Sequence, residues 1–160
     1  MKAGQILVAD HQGVYVIKMV GDVRLTLCIS FDQFIDAMFK NESFTSVLFD
    51  LSEAEAIDST TLGLMAKISI LGQERHGIMP VILASNPSIR RILQTMGFGD
   101  IFTIVDKLDA PVLAGQSLNC VNCDEQEVKE KVLEAHKILM GLNANNADTF
   151  RNLVNMLENC

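Results

Sequence analysis

The sequence predicts an α/β fold with a mixed, mostly parallel sheet led by an antiparallel hairpin, and three observations carry that expectation. Two β-rich runs, residues 5–10 (QILVAD) and 14–20 (VYVIKMV), are separated only by His11-Gln12-Gly13. So short a connection, with a glycine free to take a positive φ, is a hairpin signal. Beyond residue 25, compact apolar runs alternate with segments of helical periodicity. Helices between strands return the chain to the same end of the sheet, so the strands they join lie parallel.

The elements follow in order. Leu27, Phe31, Phe34, Ile35 and Met38 recur at helical spacing within residues 26–40, with Thr26 placed to cap the start. Residues 46–51 (SVLFDL) read as a buried strand, followed by a loop carrying Glu53 and Glu55. Residues 60–73 carry Leu64, Ile68 and Leu71 on one helical face and stop before Gly77. Val81–Ala84 is a short strand. Asn86-Pro87 opens a helix whose inner face is Ile89, Ile92, Leu93 and Met96, and residues 101–105 are the last strand. The order is β, β, α, β, α, β, α, β.

The pattern changes near Pro111. Residues 1–110 form the α/β domain, 111–124 read as a linker, and 125–160 as a helical hairpin extension. Val128, Val132, Ala135, Leu139 and Leu142 make one stripe there, and Phe150, Leu153, Val154 and Leu157 a second. Neither stripe can bury itself alone, so the hairpin must pack on the α/β body, on a second copy or on a partner.

Composition removes several function classes. The 160 residues are 49% apolar and carry a net charge of -7. The only adjacent basic pair is Arg90-Arg91, which disfavours nucleic acid, since binding it requires clustered cations. Apolar stretches such as Ile78 to Ala84 fall far short of the ~20 residues of a membrane span. The first ten residues lack a signal-peptide pattern. A cytoplasmic protein with reduced thiols at Cys28, Cys120, Cys123 and Cys160 is expected.

Enzyme signatures are absent. There is no Gly-x-Gly-x-x-Gly, no Walker pattern and no Gly-x-Ser-x-Gly. A Ser59, Asp58 and His76 triad fails on distance, because His76 lies about 25 Å along the same helix at 1.5 Å per residue. Cys120-Val121-Asn122-Cys123 with His136 matches three ligands of a Cys2His2 site, but residues 140–142 offer no fourth and only Cys160 could supply one. Incidental thiols are the better reading, and no cofactor or metal is expected.

The informative segment is Asp50 to Gly63, DLSEAEAIDSTTLG. Asp58-Ser59-Thr60-Thr61 at a helix start is first of all a capping cluster for the unpaired amides of the first turn. The same position tolerates a phosphate beside free N–H groups and the positive end of the helix dipole. Leu62 and Met65 fall on the outer side of the helix. They are either core residues, the commoner fate, or apolar anchors for a partner.

This segment resembles the signature of the STAS domain, the fold of bacterial anti-sigma-factor antagonists, in which an Asp-Ser pair, a small residue and Gly-Leu-Gly follow the third strand. Gly21-Asp22-Val23-Arg24-Leu25 is similar to the family's turn after the second strand, and Met96-Gly97-Phe98 extends the likeness to roughly residues 5–110. Among antagonists the chain looks most like the HsbA type, which has a C-terminal extension. The resemblance implies that Ser59 is phosphorylated by a GHKL-type serine kinase and reset by a PP2C-like phosphatase. It also implies that the unmodified form binds an anti-sigma factor or related regulator through Asp22, Asp58, Ser59, Thr60, Thr61, Leu62 and Met65. Thr61 stands where the family has glycine, so Thr60 and Thr61 add two alternative hydroxyls. A constitutive scaffold subunit without a phosphoswitch is the other function open to such a chain.

Overall fold

The computed structural model describes residues 2–108 and 114–159. The expected domain boundary at 110/111 and Cys160 lie outside the described residues. Six strands form one sheet: β1 (Gln5–His11), β2 (Val14–Val23), β3 (Ser46–Ile57), β4 (Val81–Leu83), β5 (Thr103–Val105) and β6 (Gln116–Ser117), in the order β5-β4-β3-β2-β1-β6. Five helices accompany them: α1 (Cys28–Lys40), α2 (Ser59–His76), α3 (Pro87–Thr95), α4 (Glu125–Met140) and α5 (Ala144–Glu158). The pairs β2–β3, β3–β4 and β4–β5 are parallel and β1–β2 is antiparallel, which is the α/β arrangement expected.

The hairpin turns through Gln12 and Gly13, both at positive φ (55° and 94°). Asp10 Oδ1 accepts the Gly13 N–H at 2.8 Å. A Cβ on Gly13 would lie 1.9 Å from the Ser43 carbonyl oxygen, so only glycine fits there.

Four sequence expectations change. First, β3 runs through the supposed loop to Ile57, pairing with β2 as far as Val23↔Ile57. Ala54 and Ile57 are buried while Glu53 and Glu55 are exposed, and a register shift against β2 between Gly21 and Asp22 interrupts the simple alternation there. Glu53 pairs with Lys18. Second, Thr26 caps nothing; it sits in a 3-10 turn, Leu25–Leu27, that precedes α1. Third, Ile92 is exposed, leaving Ile89 and Leu93 as the buried face of α3. Fourth, the stretch read as linker contributes β6, which pairs with Leu7 and Val8 of β1, and the Leu118 N–H donates to the Ile6 carbonyl at 2.8 Å.

Other expectations hold. Gly77 ends α2 in the left-handed region (φ 64°), and Asn86 caps α3 by accepting the Ser88 N–H at 2.8 Å. The core runs from Ile6 and Ile17 through Phe49 to Phe102 and includes Ala135 and Leu139 of α4. The C-terminal hairpin therefore packs on the α/β body. None of the described helices is long and apolar enough to cross a membrane.

Phe49 of β3 is fully buried and meets Phe102 edge to face, with centroids 5.7 Å apart. Phe49→Ala is expected to lower unfolding free energy by about 3–5 kcal/mol, transfer and cavity contributions together, read as a lower urea midpoint at unchanged slope.

Candidate functional site

The first turn of α2 is built around Asp58. Its Oδ1 accepts the Thr61 N–H at 2.9 Å, capping the helix. Its Oδ2 accepts the Leu25 N–H at 2.6 Å from the segment that leaves β2. The Asp58 N–H in turn donates to the Val23 carbonyl at 3.1 Å. One side chain thus fixes the start of α2 against the end of β2. The groove between them, about 390 Å³, is lined by Asp22, Arg24, Leu25, Thr26, Ala56, Ile57 and Asp58. Arg24 Nε donates to Asp22 Oδ2 at 2.8 Å on its rim.

Ser59 follows, half-buried, as the first residue of α2. Its hydroxyl lies 2.7 Å from Nε2 of His136 in α4. His136 Nδ1 is 2.6 Å from the Val132 carbonyl, an oxygen that can only accept, so Nδ1 carries a proton. In the neutral ring Nε2 is then the acceptor, and Ser59 donates to it. The imidazole is 2% exposed and meets the edge of Phe150 with centroids 4.9 Å apart.

Seven consecutive residues of α2, Thr60 to Ala66, are buried. A helix lying on a sheet alone keeps one face wet, so α2 has a second cover. That cover is α4, its principal helical neighbour. The approach is close because position 63 is glycine; a Cβ there would sit 2.3 Å from the Ala135 carbonyl oxygen and 2.6 Å from the Ala135 Cβ.

A charged ring reinforces the contact. Asp32 of α1 is buried and receives Lys67 Nζ of α2 at 2.8 Å and Lys131 Nζ of α4 at 2.6 Å; Glu134 Oε1 lies 3.1 Å and 3.6 Å from the same two ammonium groups. Burial pushes the Asp32 carboxyl upward, but its bonds to Lys131 and Lys67 outweigh this and hold its pKa below the ordinary range. Burial lowers both lysines, and Asp32 and Glu134 more than compensate, so both are raised.

Of the residues expected at a partner surface, Asp22, Asp58 and Ser59 border the groove or the helix start and keep partial exposure. Thr60, Thr61, Leu62 and Met65 are all buried in the enclosed part of α2. His76 lies at the far end of α2, stacked on Phe39 with centroids 5.9 Å apart. His136 cannot serve as the third ligand of a Cys120/Cys123 site in this arrangement, because both ring nitrogens are engaged. Among the described residues no cluster of metal-ligating side chains forms. Burial, reinforced by Cys123, Asp58 and Asp32, pushes the Cys28 thiol up to about 11, the state of a packing residue rather than a nucleophile.

The model of the STAS domain matches residues 5–110, well over half of the chain. The chain belongs to the STAS domain family. Two solved structures share this STAS architecture. A crystal structure of an anti-sigma factor antagonist from Mycobacterium paratuberculosis is 27% identical with a TM-score of 0.53, covering 67% of this chain and 89% of its own. The anti-sigma factor antagonist SpoIIAA in its unphosphorylated form is 18% identical with a TM-score of 0.50, covering 67% and 91%. No curated protein matches the chain. The hairpin α4–α5 lies outside the residues matched to the STAS domain.

Sequence reasoning missed His136 as a neighbour of Ser59. A signal existed: His136 is four residues after Val132 and three before Leu139, hence on the same apolar stripe of α4. Periodicity shows that such a stripe is buried, but not against what.

Asp58→Ala removes the acceptor of the Thr61 capping amide and that of the exposed Leu25 amide and is expected to cost about 1–2 kcal/mol, measured by urea unfolding. The Asp32 ring gives a pH dependence. A carboxyl depressed on folding contributes in full above its unfolded pKa, near 4, and its contribution is lost as pH falls through the folded value. The raised lysines contribute below their unfolded pKa, near 10.4, and lose that contribution as pH rises through the folded values. Asp32→Asn is expected to lower stability at pH 7 by roughly 1–2 kcal/mol, discounted for the partial exposure of both lysines. It should also flatten the acid limb of stability below pH ~4, followed by thermal unfolding across pH.

Proposed function

We propose that this STAS protein is a non-enzymatic partner-switching module of the anti-sigma-factor-antagonist kind, set by phosphorylation of Ser59. The unmodified form binds an anti-sigma factor or a related regulator. A GHKL-type serine kinase modifies Ser59 and a PP2C-like phosphatase restores it. The observation that carries the reading is the position of Ser59: a half-buried residue in the first turn of α2, next in the chain to Asp58, which lines a groove with Asp22.

Two further facts support it. Thr60 and Thr61, the alternative hydroxyls, are 3% and 2% exposed, so Ser59 is the accessible member of the cluster. A phosphate adds about -1.5 to -2 charge to a lip that already carries two carboxylates, while the helix N-terminus keeps it compatible with the fold. A partner that meets this surface through acidic or apolar groups is then repelled.

The Ser59–His136 bond has the form of a nucleophile and its base, but not the access. The ring is buried, its other nitrogen is held by a main-chain carbonyl, and a substrate between hydroxyl and ring would have to displace α4. The pair is a packing bond.

Incubation with ATP and an extract of the native host is expected to add about 80 Da to the wild type and to Thr60→Ala, and nothing to Ser59→Ala. Ser59→Ala should capture the regulator in a pull-down, and Ser59→Asp should capture at least tenfold less. Stoichiometric phosphate on Ser59→Ala would overturn the assignment. Equal capture by both variants would instead indicate a constitutive scaffold subunit.

A further inference from the structure

We propose that the C-terminal hairpin, α4–α5, is an intramolecular occupant of the face that carries Ser59, and that its docking and the phosphorylation of Ser59 oppose one another. The inference rests on the reading of Ser59 as the switch and gives that switch a regulator within the same chain.

The covering surface is specific. Ala135 sits against Gly63, His136 receives the Ser59 hydroxyl, and Lys131 and Glu134 close the ring with Asp32 and Lys67. The tip of the hairpin is pinned separately by Asn146 Nδ2, which donates to the Met96 carbonyl of the body at 2.8 Å and, within the hairpin, to the Leu139 carbonyl at 2.9 Å.

Docking and phosphate compete for the same volume. The His136 ring stands 2.7 Å from the Ser59 oxygen and is itself wedged against Phe150. A phosphoryl group on that oxygen carries three more oxygens, which either take the place of the ring or turn to solvent. Where the neutral ring stays, the Ser59 O–H that served Nε2 is gone and a buried nitrogen loses its donor, a costly outcome in an interior; where the oxygens take its place, α4 moves with the ring. Linkage makes the effect mutual: whatever phosphate does to docking, docking does to the phosphate-accepting equilibrium. The modified serine favours the open hairpin, and, separately from linkage, the closed hairpin engages through His136 the hydroxyl that a kinase must reach.

Gly63→Ala is the discriminating variant. The nearest atoms to its new methyl all belong to Ala135, so it wedges α4 away while improving the helix propensity of α2. In hydrogen exchange on the full chain, amides of residues 125–158 are expected to exchange at least tenfold faster in Gly63→Ala, His136→Ala and Ser59→Asp than in the wild type, with β2 and β3 unchanged. In the wild type, low urea should open residues 125–158 before the sheet, a measurement that needs no variant. In the extract assay Gly63→Ala should take up phosphate at least fivefold faster than the wild type. Wild-type exchange rates in the hairpin of all three variants, equal acceleration of hairpin and sheet, or a released hairpin with unchanged phosphorylation rate would each overturn the proposal. If no form of the protein accepts phosphate while the exchange pattern is as expected, the switch reading fails and the intramolecular cover stands.

Discussion

The double hydrogen bond of Asp58 is the constraint on which the site depends. The groups it accepts from, the amides of Leu25 and Thr61, are far apart in sequence but adjacent in space. The Thr61 amide, in the first turn of α2, would be an orphan donor without it; the Leu25 amide, in the turn before α1, is exposed and would turn to water. Because a carboxylate offers two oxygens with several lone pairs, a single residue can satisfy both while tying them at a fixed separation. Once that separation is set, the direction of α2 follows, and with it the placement of Ser59 against His136 and of Gly63 on the side that α4 meets.

The second cover over α2 is held by a mixture of interactions with different tasks. The Gly63–Ala135 approach sets distance and gains dispersion contacts, because backbone meets backbone without intervening side chains. The charged ring adds little net energy, since removing ions from water offsets much of their attraction. It does forbid other registers: a shift of α4 by one turn along α2 would bring Lys131 away from Asp32 and leave a buried carboxylate short of a partner. Polar groups here select one arrangement among several that apolar packing alone would allow.

The legible part of the fold was the part governed by local rules. Hairpin and helix stops followed from Gly13, Gly77 and Asn86-Pro87, whose conformations are dictated by their own chemistry. The second half of β3 was not legible for a physical reason. Only Leu48–Asp50 pair with β4, so residues beyond Ser52 have a neighbour on one side, β2, and can carry charges like those of a loop. β6 was hidden by its length of two residues. Thr26 had the right chemistry for a cap, but it lies inside the 3-10 turn Leu25–Leu27, and Leu27 stands at the N-cap position of α1. At the site, Ser59 and its acidic neighbour were readable from helix-terminus physics and family likeness. His136 was not, since its role depends on how two helices 77 positions apart come together.

The short pairing of β6 with β1 has a consequence for the energetics of any competitor. Gln116, Ser117 and Leu118 are tied to the sheet, and the Asn119 carbonyl accepts the Ser30 hydroxyl, so only a few residues separate anchored backbone from the start of α4 at Glu125. A hairpin that leaves α2 stays on a short leash, at a local concentration on the order of millimolar. A free protein at micromolar level faces a rival roughly a thousandfold more concentrated, so affinity measured on the isolated surfaces would overstate occupancy in the intact chain. The tether thereby converts a modest interface into an effective threshold.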